Sequence, residues 1–247
     1  MPRMDKTTSQ VEVFLITGQS GGAGGMLLTG LQAIYQSGHS DEWVFNGSAF
    51  VNIDDTNNDN QYPAAGQNSK FGIEFALLRK RQQVTGKDIL IVKHAIGGTG
   101  LHTTFSPNWS QTLQDDAKTT WDTAVKWLHA RGVRFERKAH VWYQGEKDAS
   151  DATATTNYEA NELAFLQSMQ LHMDCEKTIL VQINTNLPVG TYPAANVTTV
   201  NAAKVTNAAT ESKWSVQPTG TLTFQGDDIH LDADGYETLA INISNGL

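Results

Sequence analysis

The sequence predicts one three-layer α/β domain, a central parallel sheet covered by helices on both faces. Short apolar and β-branched runs at 11–17 (VEVFLIT), 88–95 (DILIVKHA) and 178–183 (TILVQI) read as strands buried on both sides. Segments with helical apolar spacing separate them. Strand–helix alternation along a whole chain signals a doubly wound sheet with right-handed crossovers. The length of 247 residues suits a single domain spanning 1–247, and no repeat or linker interrupts it.

Residues 1–10 read as a flexible N-terminal segment. The strand at 11–17 runs into Gly18-Gln19-Ser20 and a glycine cluster, where the backbone can turn sharply and approach a ligand. Residues 26–69, rich in Gly, Asn, Asp and Ser, read as a long ordered loop region with a turn at 57–60. Ser69 is placed to cap a helix from 70 to about 83, striped by Phe71, Phe75 and Leu78 and ended by Gly86. The strand at 88–95 leads at once into Gly97-Gly98-Thr99-Gly100. A polar loop holding Trp109 precedes a helix at 115–130, closed by Gly132. A short strand at 139–143 runs into Gln144-Gly145-Glu146, a helix follows at 158–173, and the strand at 178–183 comes next. A small-residue helix at 197–212, short strands at Val216 and 222–224, and a helix capped by Asp232 and ending near Ile243 complete the chain.

Bulk properties exclude several classes. A net charge of −8 argues against nucleic acid or an anionic membrane as the main partner. Cys175 is the only cysteine, so an intrachain disulfide and a cysteine-based zinc site are both excluded. Neither a signal-like apolar stretch near the start nor a run long enough to span a bilayer occurs. A soluble protein is expected, and secretion or membership of a larger extracellular or virion protein stays open. No histidine pair has H-x-x-x-H or H-E-x-x-H spacing, and neither a G-x-G-x-x-G nor a G-K-[ST] phosphate loop is present, so no metal or cofactor is expected.

Parallel strands present their carboxyl ends along one rim, where open α/β sheets place ligands. That rim would collect Ser20, then Gly97-Gly98, then Gln144-Gly145-Glu146, then Gly226-Asp227-Asp228-Ile229-His230. Those are the parts of an acyl-transfer site. A serine needs a base to take its proton, and His230 can serve. Its imidazole needs a carboxylate partner three residues away, Asp227, with Asp228 as competitor. An oxyanion needs donors, available as the Ser20 and Gly98 N–H groups and the Gln144 amide. Each piece alone also has a plain reading: a glycine turn, a solvated loop histidine, a helix start. Gly18-Gln19-Ser20-Gly21-Gly22 also fits G-x-S-x-G, but the α/β-hydrolase elbow follows several strands, and only about one precedes Ser20.

Five blocks in order resemble the sialate O-acetylesterase and acetylxylan-esterase branch of the SGNH hydrolases (the carbohydrate esterase family six-like branch). They are Gly18-Gln19-Ser20, the run 71–76 (FGIEFA), Gly97-Gly98-Thr99 with Trp109 downstream, the run 142–149 (WYQGEKDA), and the run 227–231 (DDIHL). The resemblance spans about residues 11–240. It implies a flavodoxin-like fold and metal-independent removal of O-acetyl groups from carbohydrate. It assigns Ser20 as nucleophile, His230 as base and Asp227 as its partner, with Gly98 and Gln144 completing the oxyanion hole. Glu146 and Asp148 are expected to brace the loops, Gln19 to bind substrate or brace them, and Trp109 to line the sugar side of the cleft. The expected partner is an acetylated carbohydrate; the polar loops at 36–69 and 102–111 suit one better than a lipid. Two positions depart from the pattern: Gly21 stands where the family has Asn, and Lys147 where it has Ser or Asn. These departures sustain a rival reading, a carbohydrate- or receptor-binding module with the same fold and little or no turnover.

Overall fold

A computed structural model describes residues 11–24, 26–27, 42–53 and 70–247. Its centre is strand β1 (Val11–Gly18), every residue of which is buried. β1 pairs in parallel with β6 (Ile89–Ala95) on one side and β7 (Phe135–Tyr143) on the other. Outward from these lie β3 (Glu42–Phe45) with β4 (Phe50–Asn52), and β8 (Lys177–Val181) with β9 (Trp214–Gln217). The seven-stranded order is β4-β3-β6-β1-β7-β8-β9, parallel throughout except for the β3–β4 hairpin at the edge. The chain leaving β1 therefore enters the crevice between the loops that follow β6 and β7, the place where open α/β sheets bind ligands.

Period-two alternation gives each strand two apolar faces. Val13, Leu15, Val92 and Trp142 pack beneath helices α3 (Thr112–Ala130), α5 (Ala152–Met173) and α6 (Ala194–Ala208). Phe14, Ile16, Ile91 and Tyr143 face α2 (Ile73–Thr85) and α7 (Ala233–Asn245). Two one-turn helices, α1 (Ser20–Ala23) and α4 (Glu146–Ala149), sit at the carboxyl ends of β1 and β7. No helix among the described residues is long and apolar enough to cross a membrane.

Several expectations are corrected. The stretch 26–69 is not loop throughout: it contributes β3 and β4, and Met26–Leu27 (β2) pairs antiparallel with Lys70–Phe71 (β5). These strands have two to four residues, too short to leave an alternating pattern. The expected helix start at 70 fails because that pairing holds Lys70 and Phe71 extended. The turn is tight: a Cβ on Gly24 would lie 2.6 Å from the Gly72 nitrogen. The helix over 158–173 begins earlier, at Ala152, because Asp151 caps it by accepting from the Ala154 N–H (2.8 Å). No strand forms at 222–224, where a single bridge joins Phe224 to Leu231 and folds that segment against the His230 loop. Asp232 caps the last helix as expected, accepting from Gly235 N–H. Residues 1–10, the turn at 57–60 and Ser69 lie outside the described residues.

Candidate active site

Ser20 opens α1 directly beyond the end of β1. A Cβ on Gly18, whose φ is +133°, would sit 2.0 Å from the Tyr143 carbonyl oxygen, so only glycine permits this close exit. Gln19 N–H donates to that same carbonyl (3.0 Å), and Ile96 N–H donates to Gly18 O (2.9 Å), tying the turn to the ends of both neighbouring strands. The departure at position 21 has a steric cause. A Cβ on Gly21 would lie 2.7 Å from the Tyr143 ring, so Tyr143 fills the space an asparagine side chain would need. Tyr236 O–H closes the other side, donating to Gly21 O (3.3 Å).

The glycine loop after β6 comes next to the serine. A Cβ placed on Gly97 would stand 3.7 Å from Ser20 Cβ, and Gly98 has φ +73° with open space beyond it. Thr99 anchors this loop: its Oγ1 donates to Ile96 O (2.7 Å), and Trp109 Nε1 donates to Thr99 Oγ1 (2.9 Å). Trp109 is fully buried and stacks edge-on to Trp142 at 5.3 Å between ring centres. The expectation that it lines the sugar side is therefore corrected: Trp109 braces the glycine loop from inside the core.

Gln144 is likewise fully buried. Its amide nitrogen lies 2.6 Å from Asp148 Oδ2, 3.2 Å from Thr99 O and 3.4 Å from Gln19 Oε1, so its two N–H groups already have acceptors. Here it ties three loops together, and the expected reach of this amide to an oxyanion in the cleft does not fit its geometry. Asp148 extends the brace by accepting from the Leu101 and His102 N–H groups (2.9 and 3.1 Å). Gln19 adds another strut, its Oε1 accepting from Lys147 N–H (3.1 Å). Lys147 carries its ammonium out over the Phe105 ring, 5.1 Å from the centre.

Glu146 starts α4 and is almost completely buried. Burial pushes its carboxyl up to about 7, against the opposing pull of Lys204 and His230. Its Oε2 has no hydrogen-bond partner among the described residues. Lys204 is committed elsewhere, to Glu162 (2.8 Å), in a buried network that also takes in Trp142 Nε1 and the Tyr158 hydroxyl. Glu162 lies on the buried face of its helix, and its partners Trp142, Lys204 and Asn207 come from other elements.

The last component is the loop before α7. Asp227 accepts from His230 Nδ1 (2.6 Å) through one oxygen and from the Ile229 and His230 N–H groups (both 2.9 Å) through the other. Burial raises the Asp227 carboxyl, but these hydrogen bonds outweigh it and hold the pKa below its ordinary value. Asp228 takes no part in that contact: it adopts φ +56° and its carbonyl accepts from Asn184 Nδ2 (2.7 Å). Tyr192, which the sequence did not single out, is half-buried nearby. Burial raises its phenol, and the charges of Glu146 and Asp227 push in the same direction. The charges of Glu146 and Asp227 act on both Tyr192 and Tyr236, and Tyr236 donates to Gly21 O in the Ser20 turn.

Solved structures with the same fold include a protein from Arabidopsis thaliana (TM-score 0.75, 16% identity, 95% of this chain and 96% of that one). NanS is similar at TM-score 0.66 and 12% identity over 96% of both chains. A carbohydrate acetylesterase from Xanthomonas citri gives TM-score 0.62 and 14% identity, over 94% of this chain and 55% of that one. No curated protein sequence matches. The profile of carbohydrate esterases described as sialic acid-specific acetylesterases matches residues 10–246, and the chain belongs to this family of carboxylic ester hydrolases.

Proposed function

We propose that the chain is a serine esterase that removes O-acetyl groups from a carbohydrate. The observation that carries this reading is the 2.6 Å Asp227–His230 contact, on a loop whose following helix seats Tyr236 on Gly21 beside Ser20. Ser20 Oγ attacks the acetyl carbonyl carbon while His230 Nε2 takes its proton. Asp227 accepts from Nδ1 and fixes the tautomer in which Nε2 can act as base. The oxyanion that forms is met by the N–H of Ser20, in a helical first turn whose N–H groups lack intrahelical acceptors, and by the N–H of Gly98. The sugar oxygen departs with the proton from the imidazolium, leaving acetyl-Ser20. Water, deprotonated by His230, then releases acetate and restores the hydroxyl.

The test is acetate release from acetylated xylan, O-acetylated sialic acid and acetylated bacterial polysaccharide, comparing the natural protein with Ser20→Ala. Release from at least one substrate, lost in the variant, is expected. No release from any of them, with glycan binding retained, would favour a binding module instead.

A further inference from the structure

A one-turn helix cannot hold itself, because its end groups outnumber its internal hydrogen bonds. The Ala23 N–H to Gln19 O (2.8 Å) and Gly24 N–H to Ser20 O (2.9 Å) bonds close the α1 turn, and among the described residues no side chain caps its start. Its position must be set from outside. Alternation along β6 places Lys93 on the α2 face, after Ile89 and Ile91, at the register of Ile16 in β1. There the Lys93 side chain is 1% exposed, and its ammonium donates to Ala23 O (2.5 Å), the carbonyl at the far end of the serine helix. It also donates to Glu74 Oε2 (2.9 Å), and Glu74 Oε1 accepts from Gly72 N–H (2.9 Å), across the tight Gly24–Gly72 contact.

We infer that the buried Lys93–Glu74 pair is a positioning device for the nucleophile, clamping the end of the Ser20 helix to β6 and to the start of α2. Stability alone gives little reason to keep such a pair, since an apolar replacement of similar volume is often as stable or more so. What the pair supplies is a fixed donor at one carbonyl, three residues from Ser20. Burial also lowers the Lys93 pKa, while the Glu74 charge opposes that shift. The inference rests on the esterase reading for its effect on turnover, but not for its effect on the backbone.

The test uses Lys93→Met/Glu74→Gln, which removes both charges at nearly constant volume, beside Ser20→Ala. The double variant should melt within a few degrees of the natural protein. Its kcat for p-nitrophenyl acetate should fall at least tenfold with KM within twofold, and the Ala23 and Gly24 amides should exchange at least tenfold faster while β1 and β6 stay protected. Unchanged kcat and exchange would overturn the clamp. Should the double variant not fold, Glu74→Gln alone supplies the same readouts, with at least threefold faster exchange at Gly24 expected and unchanged exchange contradicting it. If the natural protein shows no Ser20-dependent hydrolysis, the esterase reading fails and amide exchange still decides the clamp.

Discussion

The turn that carries Ser20 and the loop that carries His230 are held in different ways. The serine turn is gripped from four sides by buried groups: the Tyr143 carbonyl and ring, the Tyr236 hydroxyl, the Gln19 amide strut and the Lys93 ammonium. The histidine loop lies near solvent, with side chains of Asp227 and His230 exposed by 42% and 31%, and its geometry comes mostly from hydrogen bonds within itself. In the proposed mechanism this division is sensible. The nucleophile and the oxyanion donors must be pre-organised to a fraction of an ångström, whereas the base must exchange protons with sugar oxygen and water. The comparison teaches that overfilling the packed serine turn should disturb both fold and turnover, whereas changes in the histidine loop should lower turnover alone.

The largest expected effect comes from Ser20→Ala, which should lower acetate release by about 10³-fold or more with an unchanged melting curve. His230→Ala should follow closely. Asp227→Asn should lower kcat by about 10²–10⁴-fold through the wrong imidazole tautomer, again with no change in melting, as measured by steady-state kinetics and calorimetry. If Asp227→Asn unfolded the protein, the contrast between the two regions would break.

On the serine side, Gly21→Ala drives a methyl into the Tyr143 ring. Overpacking of this kind costs about 1–3 kcal/mol, so thermal unfolding should show a drop of several degrees together with slower turnover. Combining it with Tyr143→Leu, which clears the ring, should recover part of the lost kcat.

Glu146 sharpens the comparison through pH. Burial raises its folded pKa to about 7 from an ordinary 4.5. A raised carboxyl favours the folded state fully below the unfolded pKa, and that contribution is lost as pH rises through the folded one. Glu146→Gln should therefore melt several degrees above the natural protein at pH 8.5 and match it at pH 4.5. On the acid side His94 and His140, buried and pushed down to about 4 and about 3 by desolvation, have the opposite dependence. Their contribution is full above the ordinary histidine pKa and declines as pH falls towards those values.

The smallest effect tests the role of Trp109. Trp109→Phe removes one buried hydrogen bond to Thr99, worth about 1 kcal/mol, and should leave KM for an acetylated sugar unchanged. A several-fold rise in KM with unaltered stability would restore Trp109 to the cleft.

Much of this was legible in the sequence for identifiable reasons. Buried parallel strands are continuous apolar runs, so β1, β6 and β8 and the loops at their ends could be located. The Asp227–His230 contact is local, three residues apart, and its spacing favoured Asp227 while leaving Asp228 as competitor. What was illegible depends on partners far apart in the chain. Trp109 and Gln144 were assigned to the cleft by residue type, yet burial turns both inward, where Thr99 and Asp148 take their donors. The grip of Tyr143 on Gly21 spans more than a hundred residues, and no periodicity encodes it. Short strands such as β2 and β5 carry too few residues for a pattern, and their pairing displaced the expected start of α2.

The central claim is that Ser20 is made nucleophilic by His230. Its most direct test is intact-protein and peptide mass spectrometry after exposure to a fluorophosphonate. A single adduct on Ser20 that forms at least a hundredfold more slowly in His230→Ala is predicted. An adduct on another residue, or equal labelling of Ser20 with and without His230, would contradict it.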